Sequence, residues 1–179
     1  MRRRSLEQTL PPETAVNNPL LILALRLIHI VSGVLWTGVA VLLAAYVLPA
    51  ARGEGGMAFL RALIAGRNLP RYLNVALGLT LLSGLALYGN LAALTHGAWV
   101  HSSMGRALAL GALAAIIAAI VGTFVAAPAV HRAIALAGQK PADDAELVRA
   151  RERYANAMRI VAGLLLFTAA TMAVGRYLP

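Results

Sequence analysis

Four apolar stretches, at roughly Leu20–Ala50, Leu69–Leu94, Met104–Val130 and Ala155–Leu178, are each long enough to cross a bilayer. A spanning helix needs about 20 mostly apolar residues, because the hydrocarbon core is about 30 Å thick and each residue rises about 1.5 Å. With 60% hydrophobic and 13% charged residues, 179 residues carry more apolar surface than a soluble domain of that size can bury. The expectation is an all-α, polytopic transmembrane four-helix bundle. It has a flexible extramembrane tail over 1–18 and a single domain over 19–179, with the lipid bilayer as its first partner.

Composition removes several kinds of chemistry. Cysteine is absent, and with it disulfides, thiolate metal sites, iron–sulfur clusters and cysteine nucleophiles. The net charge of +9 raises nucleic acid as a partner, but the basic residues flank apolar helices, where they normally fix orientation. No nucleic-acid partner is expected. No acidic residue falls inside the four stretches, which disfavours a carboxylate proton relay or a cation transporter.

Arg2, Arg3 and Arg4 before Ser5 and Leu6 have some likeness to a twin-arginine export signal. A dozen polar or proline-bearing residues intervene before Leu20, however, and the apolar run exceeds a signal core, so an uncleaved first span is expected. Asn18-Pro19 starts that span and Pro49 with the glycine-rich Arg52–Gly56 ends it. In the polar segment from Ala137 to Tyr154, Asp143, Asp144 and Glu146 come before Arg149, Arg151 and Arg153, an order that suits a helix dipole and is expected to extend the fourth helix into water.

Arg52, Arg61 and Arg67 lie in the first link, and Arg132, Lys140, Arg149, Arg151 and Arg153 in the third. The positive-inside bias therefore puts both basic links in the cytoplasm and both termini outside, in a cell inner membrane. The arginine triplet of the tail argues the other way from a greater distance.

Polar residues at membrane depth are the places to look for function. On the first span His29, Ser32, Gly33 and Trp36 share one helical face. A neutral imidazole there can ligate haem iron or copper, Gly33 leaves room for a flat macrocycle or a close helix, and Trp36 can wall the site. The alternative is a histidine hydrogen-bonded to a neighbouring helix. Arg26 and Arg106 either snorkel to headgroups or pair with a haem propionate. The short second link offers His96 and His101, followed by Met104, an imidazole and thioether set that copper accepts. A second axial ligand for His29 would come from His101 or His96, or from a non-histidine group. His131, at the opposite face, is read as interfacial. Asn74, Thr80, Ser83 and Tyr88 on the second span are accounted for by interhelical hydrogen bonds, and Ser83-Gly84 forms a small-residue notch. Small residues at Gly111, Ala115, Ala119 and Gly122, and at Gly163, Ala170 and Ala173, mark expected packing faces.

Three segments carry a resemblance. His29–Gly38 (HIVSGVLWTG), Leu79–Tyr88 (LTLLSGLALY) and Ala170–Leu178 (ATMAVGRYL) resemble the copper-resistance D (CopD)-like membrane proteins, in particular their small four-helix members. The resemblance implies a four-helix bundle whose first-helix histidine, here His29, is a haem b or metal ligand. A related group, the four-helix haem-binding protoporphyrinogen oxidases, pairs that histidine with a membrane-embedded lysine. The lone lysine of this chain is Lys140, in a polar link.

Three functions are thus in view. One is haem b or copper binding near the outer face through His29, for electron transfer or metal handling with a redox partner. Another is a structural or accessory subunit of a larger membrane complex. The third is a haem-dependent membrane oxidoreductase acting on a porphyrin or quinone.

Overall fold

The computed structural model describes residues 18–53, 55–138, 144–175 and 177. The tail before Asn18, together with Lys140, Asp143 and Arg176, lies outside the described residues. The four apolar stretches are helices α1 (Pro19–Ala50), α3 (Leu69–Leu94), α4 (Ser103–Ala137) and α5 (Asp144–Gly175). A shorter apolar helix, α2 (Gly56–Gly66), sits in the first link. The 32 residues of α1 rise about 48 Å, more than the hydrocarbon thickness, so its ends project into the interfaces.

Local chemistry sets the helix ends. The Asn18 side chain accepts from the amides of Leu20 (3.0 Å) and Leu21 (3.3 Å), capping α1 ahead of Pro19. Ser102 accepts from the Gly105 amide at 3.0 Å and caps α4. At the far end of α1 the Ala51 carbonyl receives Arg151 Nη2 of α5 at 2.7 Å, a cation at a helix C-terminus. The helical start at Asp144 makes the acid-then-base segment the leading turns of α5.

Two features were not legible beforehand. Helix α2 forms where only a glycine-rich link was expected. Gly55 takes the left-handed conformation (φ 75°) to turn the chain. Gly56 abuts the Ala51 backbone where no Cβ would fit, and Leu60 and Ile64 then tuck into the core. Pro128, near the expected end of the third span, does not stop α4, which continues to Ala137. A wide π-type turn at Gly122–Ala126 comes just before it. Such a turn absorbs the hydrogen bond that a proline cannot donate and the clash of its ring. The same device, Leu43–Val47, precedes Pro49 in α1.

The buried surface is built from small side chains. Ala40, Ala44, Ala76, Ala115, Ala118, Ala126, Ala129, Ala157 and Ala162 line it around Trp36, Met158 and Leu165. Many large apolar side chains point outward: Leu23, Ile30 and Val34 on α1, Leu82 and Leu85 on α3, Leu113 and Phe124 on α4, and Ile160 and Phe167 on α5 are all exposed. That inverts a water-soluble bundle and suits helices that pack by close backbone approach while lipid solvates the outside. Helix α1 packs mainly on α3, α4 mainly on α5, and α1 joins the two pairs through α5.

The small-residue expectation holds for one helix and fails for the other. Gly111 on α4 is buried against Thr171, where a Cβ would collide with the hydroxyl, and Thr168 donates to the Gly111 carbonyl at 2.9 Å. Gly163, Ala170 and Ala173 instead face outward. The packing face of α5 runs through Ala157, Val161, Leu165 and Thr168, because its polar hydroxyl and largest aliphatics find partners there.

Candidate functional site

The polar residues of α1 and α3 meet about 15 Å from the start of α1, well inside the apolar span. His29 Nδ1 donates to the Thr80 carbonyl at 2.8 Å, with Ser83 Oγ at 3.4 Å beside it. The Ser32 hydroxyl donates to the Ile28 carbonyl at 2.6 Å and lies 2.9 Å from Thr80 Oγ1. Thr80 Oγ1 also lies 2.7 Å from the Ala76 carbonyl, a second acceptor for its single proton. Ser32, Thr80 and Ser83 are all buried. Ser32 and Ser83 donate to carbonyls of their own helices, and their oxygens then accept across the contact, from Thr80 Oγ1 and His29 Nδ1 respectively.

The geometry repeats within the pair. His29-x-x-Ser32-Gly33 on α1 and Thr80-x-x-Ser83-Gly84 on α3 have the same spacing. The helices run antiparallel, so each glycine receives the first residue of the other motif. A Cβ on Gly33 would lie 3.5 Å from Thr80 Cγ2, and a Cβ on Gly84 would lie 2.7 Å from His29 Cε1. Each serine likewise faces the first residue of the opposite motif. The contact is a local two-fold with threonine in one half and histidine in the other.

That asymmetry isolates what is special about His29. A threonine suffices for the packing in the equivalent half. The imidazole is larger, requires the bare Gly84 as its seat, and ends in a second nitrogen. A carbonyl can only accept, so Nδ1 carries the ring proton, and in the neutral ring the Nε2 lone pair is free. Nε2 makes no hydrogen bond among the described residues. It is also not sealed off, since no buried side-chain nitrogen or oxygen there is left without a partner. An Nδ1–H held by a backbone carbonyl is the usual way a protein orients a histidine whose Nε2 binds a metal.

The other expected site residues lie apart. Helix α3 continues past Gly84 to Leu94 before the link that holds His96 and His101, and Met104 opens α4. None of the three hydrogen-bonds His29. His96 (φ 48°) and His101 are exposed, and Met104 is half-buried at the start of α4. No group of three or more His, Asp or Glu side chains able to hold a metal occurs among the described residues. Trp36, two helical turns inward of His29 on the same helix, is buried in the core. The space beside Gly33 is taken by Thr80, which makes it a close helix approach. Arg26, one turn outward of His29, and Arg106, in the first turn of α4, are exposed. Above the site Tyr88 and Trp99 meet edge to face with centroids 5.0 Å apart, and the Tyr88 hydroxyl reaches toward the Gly105 carbonyl at 3.4 Å.

What the sequence reading missed is the partnership of Gly84 and the Thr80 carbonyl with His29. The signal lay in the repeated Ser-Gly pairs, Ser32-Gly33 and Ser83-Gly84, which invite comparison of the two helices. Four long apolar helices packed through small residues define a four-span integral membrane protein. No protein-family model, curated protein or solved structure matches the chain.

Proposed function

We propose that His29 is the protein ligand of a haem b group in a membrane electron-transfer protein. One observation carries the reading: a histidine occupies a position where the equivalent half of the helix contact uses threonine, and it leaves an accessible, unpaired Nε2. A haem macrocycle supplies four equatorial nitrogens of its own, so one imidazole is enough to anchor it. A bare copper ion held by a single imidazole lacks the donors that metal needs, and no cluster of three or more His, Asp or Glu side chains able to hold a metal occurs among the described residues. The donor set therefore fits haem better than copper. Haem would supply one-electron redox chemistry, while the chain would fix the ring through Thr80 and Gly84 and offer Arg26 and Arg106 to its carboxylates. The quoted likeness to CopD-like proteins supports the same assignment. A membrane oxidoreductase would share this ligand.

The second reading is an accessory subunit without a cofactor, in which the His29–Thr80 bond only locks α1 to α3. It is favoured by the completeness of that lock. The substitution His29→Thr separates the two, because it copies the residue that already performs the packing in the other half. On the haem reading the purified protein, titrated with haemin and reduced, shows a Soret band. His29→Thr abolishes that band while melting within about 1 kcal/mol of wild type. A wild type that gives no specific Soret shift, with His29→Thr unchanged in every respect, overturns the haem reading in favour of the accessory one.

A further inference from the structure

We infer that the end of the bundle carrying the two basic links holds a binding site for the phosphate headgroup of an anionic membrane lipid. An open recess of about 610 Å³ lies there between the end of α2, the opening turns of α3 and the flank of α4. Asn68, Arg71, Asn74 and His131 supply its polar lining, and Ile64 and Val75 are among its apolar residues.

Two independent features make it a site for an anion. The Arg71 guanidinium, the Asn68 and Asn74 amides and the His131 ring have no hydrogen-bond or ion-pair partner among the described residues, although they share one recess. No carboxylate lines it among those residues. By contrast Arg132, the neighbour of His131, is paired with Glu146, and Arg151 is spent on the Ala51 carbonyl. Arg52, Arg61, Arg67, Arg149 and Arg153 at this end are also unpaired among the described residues, but Arg71 is the arginine that lines the recess, beside the two asparagines and His131. The positive end of the α3 dipole adds to the same potential.

The mixed lining selects a lipid over a soluble anion. Val75, one turn beyond Arg71, is 54% exposed and belongs to the apolar flank of α3, where an acyl chain would leave the recess. Tyr72 beside it is exposed at the level where aromatic residues meet headgroups. One guanidinium is a weak trap for a phosphate drawn from bulk water, whereas an anionic lipid is already concentrated at the surface. The amide groups of Asn68 and Asn74 can in addition bond the hydroxyls of a glycerol headgroup.

The test uses the full chain in detergent, measuring lipid retained by native mass spectrometry and melting temperature. Probes are phosphatidylglycerol, phosphatidylcholine and millimolar inorganic phosphate. Expected are retention of phosphatidylglycerol over phosphatidylcholine, a rise in melting temperature with the former alone, and no competition by phosphate. Arg71→Gln lowers phosphatidylglycerol retention about fivefold, the size expected for one basic residue at an anionic surface. Arg132→Gln, outside the recess, leaves retention within about twofold of wild type. Equal retention of the two lipids, equal retention by wild type and Arg71→Gln, or displacement by inorganic phosphate each overturns the lipid assignment. The melting comparison uses wild type alone, so a variant that fails to fold does not remove the test.

Discussion

At the scale of single residues, the two glycines of the α1–α3 contact make opposite predictions from similar sequence contexts. A methyl group at Gly84 would sit 2.7 Å from His29 Cε1, so Gly84→Ala must displace the ring or part the helices. We expect a cost of about 1–3 kcal/mol in detergent melts, the range for overpacking. On the haem reading a weakened Soret band accompanies it. At Gly33 the same methyl would meet Thr80 Cγ2 at 3.5 Å, an ordinary contact, and Gly33→Ala should be neutral or stabilise by up to about 1 kcal/mol, the helix-interior gain of alanine over glycine. Equal effects at the two positions would contradict the seat proposed for the imidazole. Thr80→Val removes the bond to Ser32 and should cost about 0.6 kcal/mol, the average for an interhelical hydrogen bond in a membrane.

At the scale of elements, small residues are read correctly only when their surroundings are known. Gly111 and Gly163 both stand in alanine-rich, apolar helices, yet Gly111 is buried against Thr171 and Gly163 faces outward. Gly111→Leu should force α4 from α5, lowering stability by about 1–3 kcal/mol, whereas Gly163→Leu should be close to neutral. Thermal melts of the two variants side by side check this, and a larger loss at Gly163 would mean that the outward face of α5 is itself packed against something. The π-type turns before Pro49 and Pro128 belong to the same scale. They let α1 and α4 keep a continuous axis through prolines that would otherwise have ended them, which is why α4 outlasts its expected boundary.

At the scale of the whole molecule, the arrangement predicts sidedness. The two basic links lie at one end of the bundle, since Arg151 of α5 reaches Ala51 at the end of α1. The cysteine-free sequence makes accessibility easy to read. In the expected orientation, cysteine introduced at Arg52 or Gly138 reacts with an impermeant maleimide only after the cells are permeabilised. Cysteine at His101 reacts in intact cells. Opposite reactivity of Arg52 and Gly138 would break the four-span topology, while joint inversion of all three would reverse the orientation alone.

The sequence by itself determined the medium, the number of spans, most helix limits and the face shared by His29, Ser32 and Gly33. Those properties follow from apolar run length, helical periodicity and capping chemistry, all of which are local. Only the tertiary structure decided which face met which helix. It placed Gly84 and the Thr80 carbonyl against the imidazole, gave His96, His101 and Met104 no hydrogen bond to it, and turned Gly163 outward. The reason is physical: in lipid every face of an apolar helix is tolerable, so pairing is settled by fine complementarity between two surfaces rather than by hydrophobicity within either one.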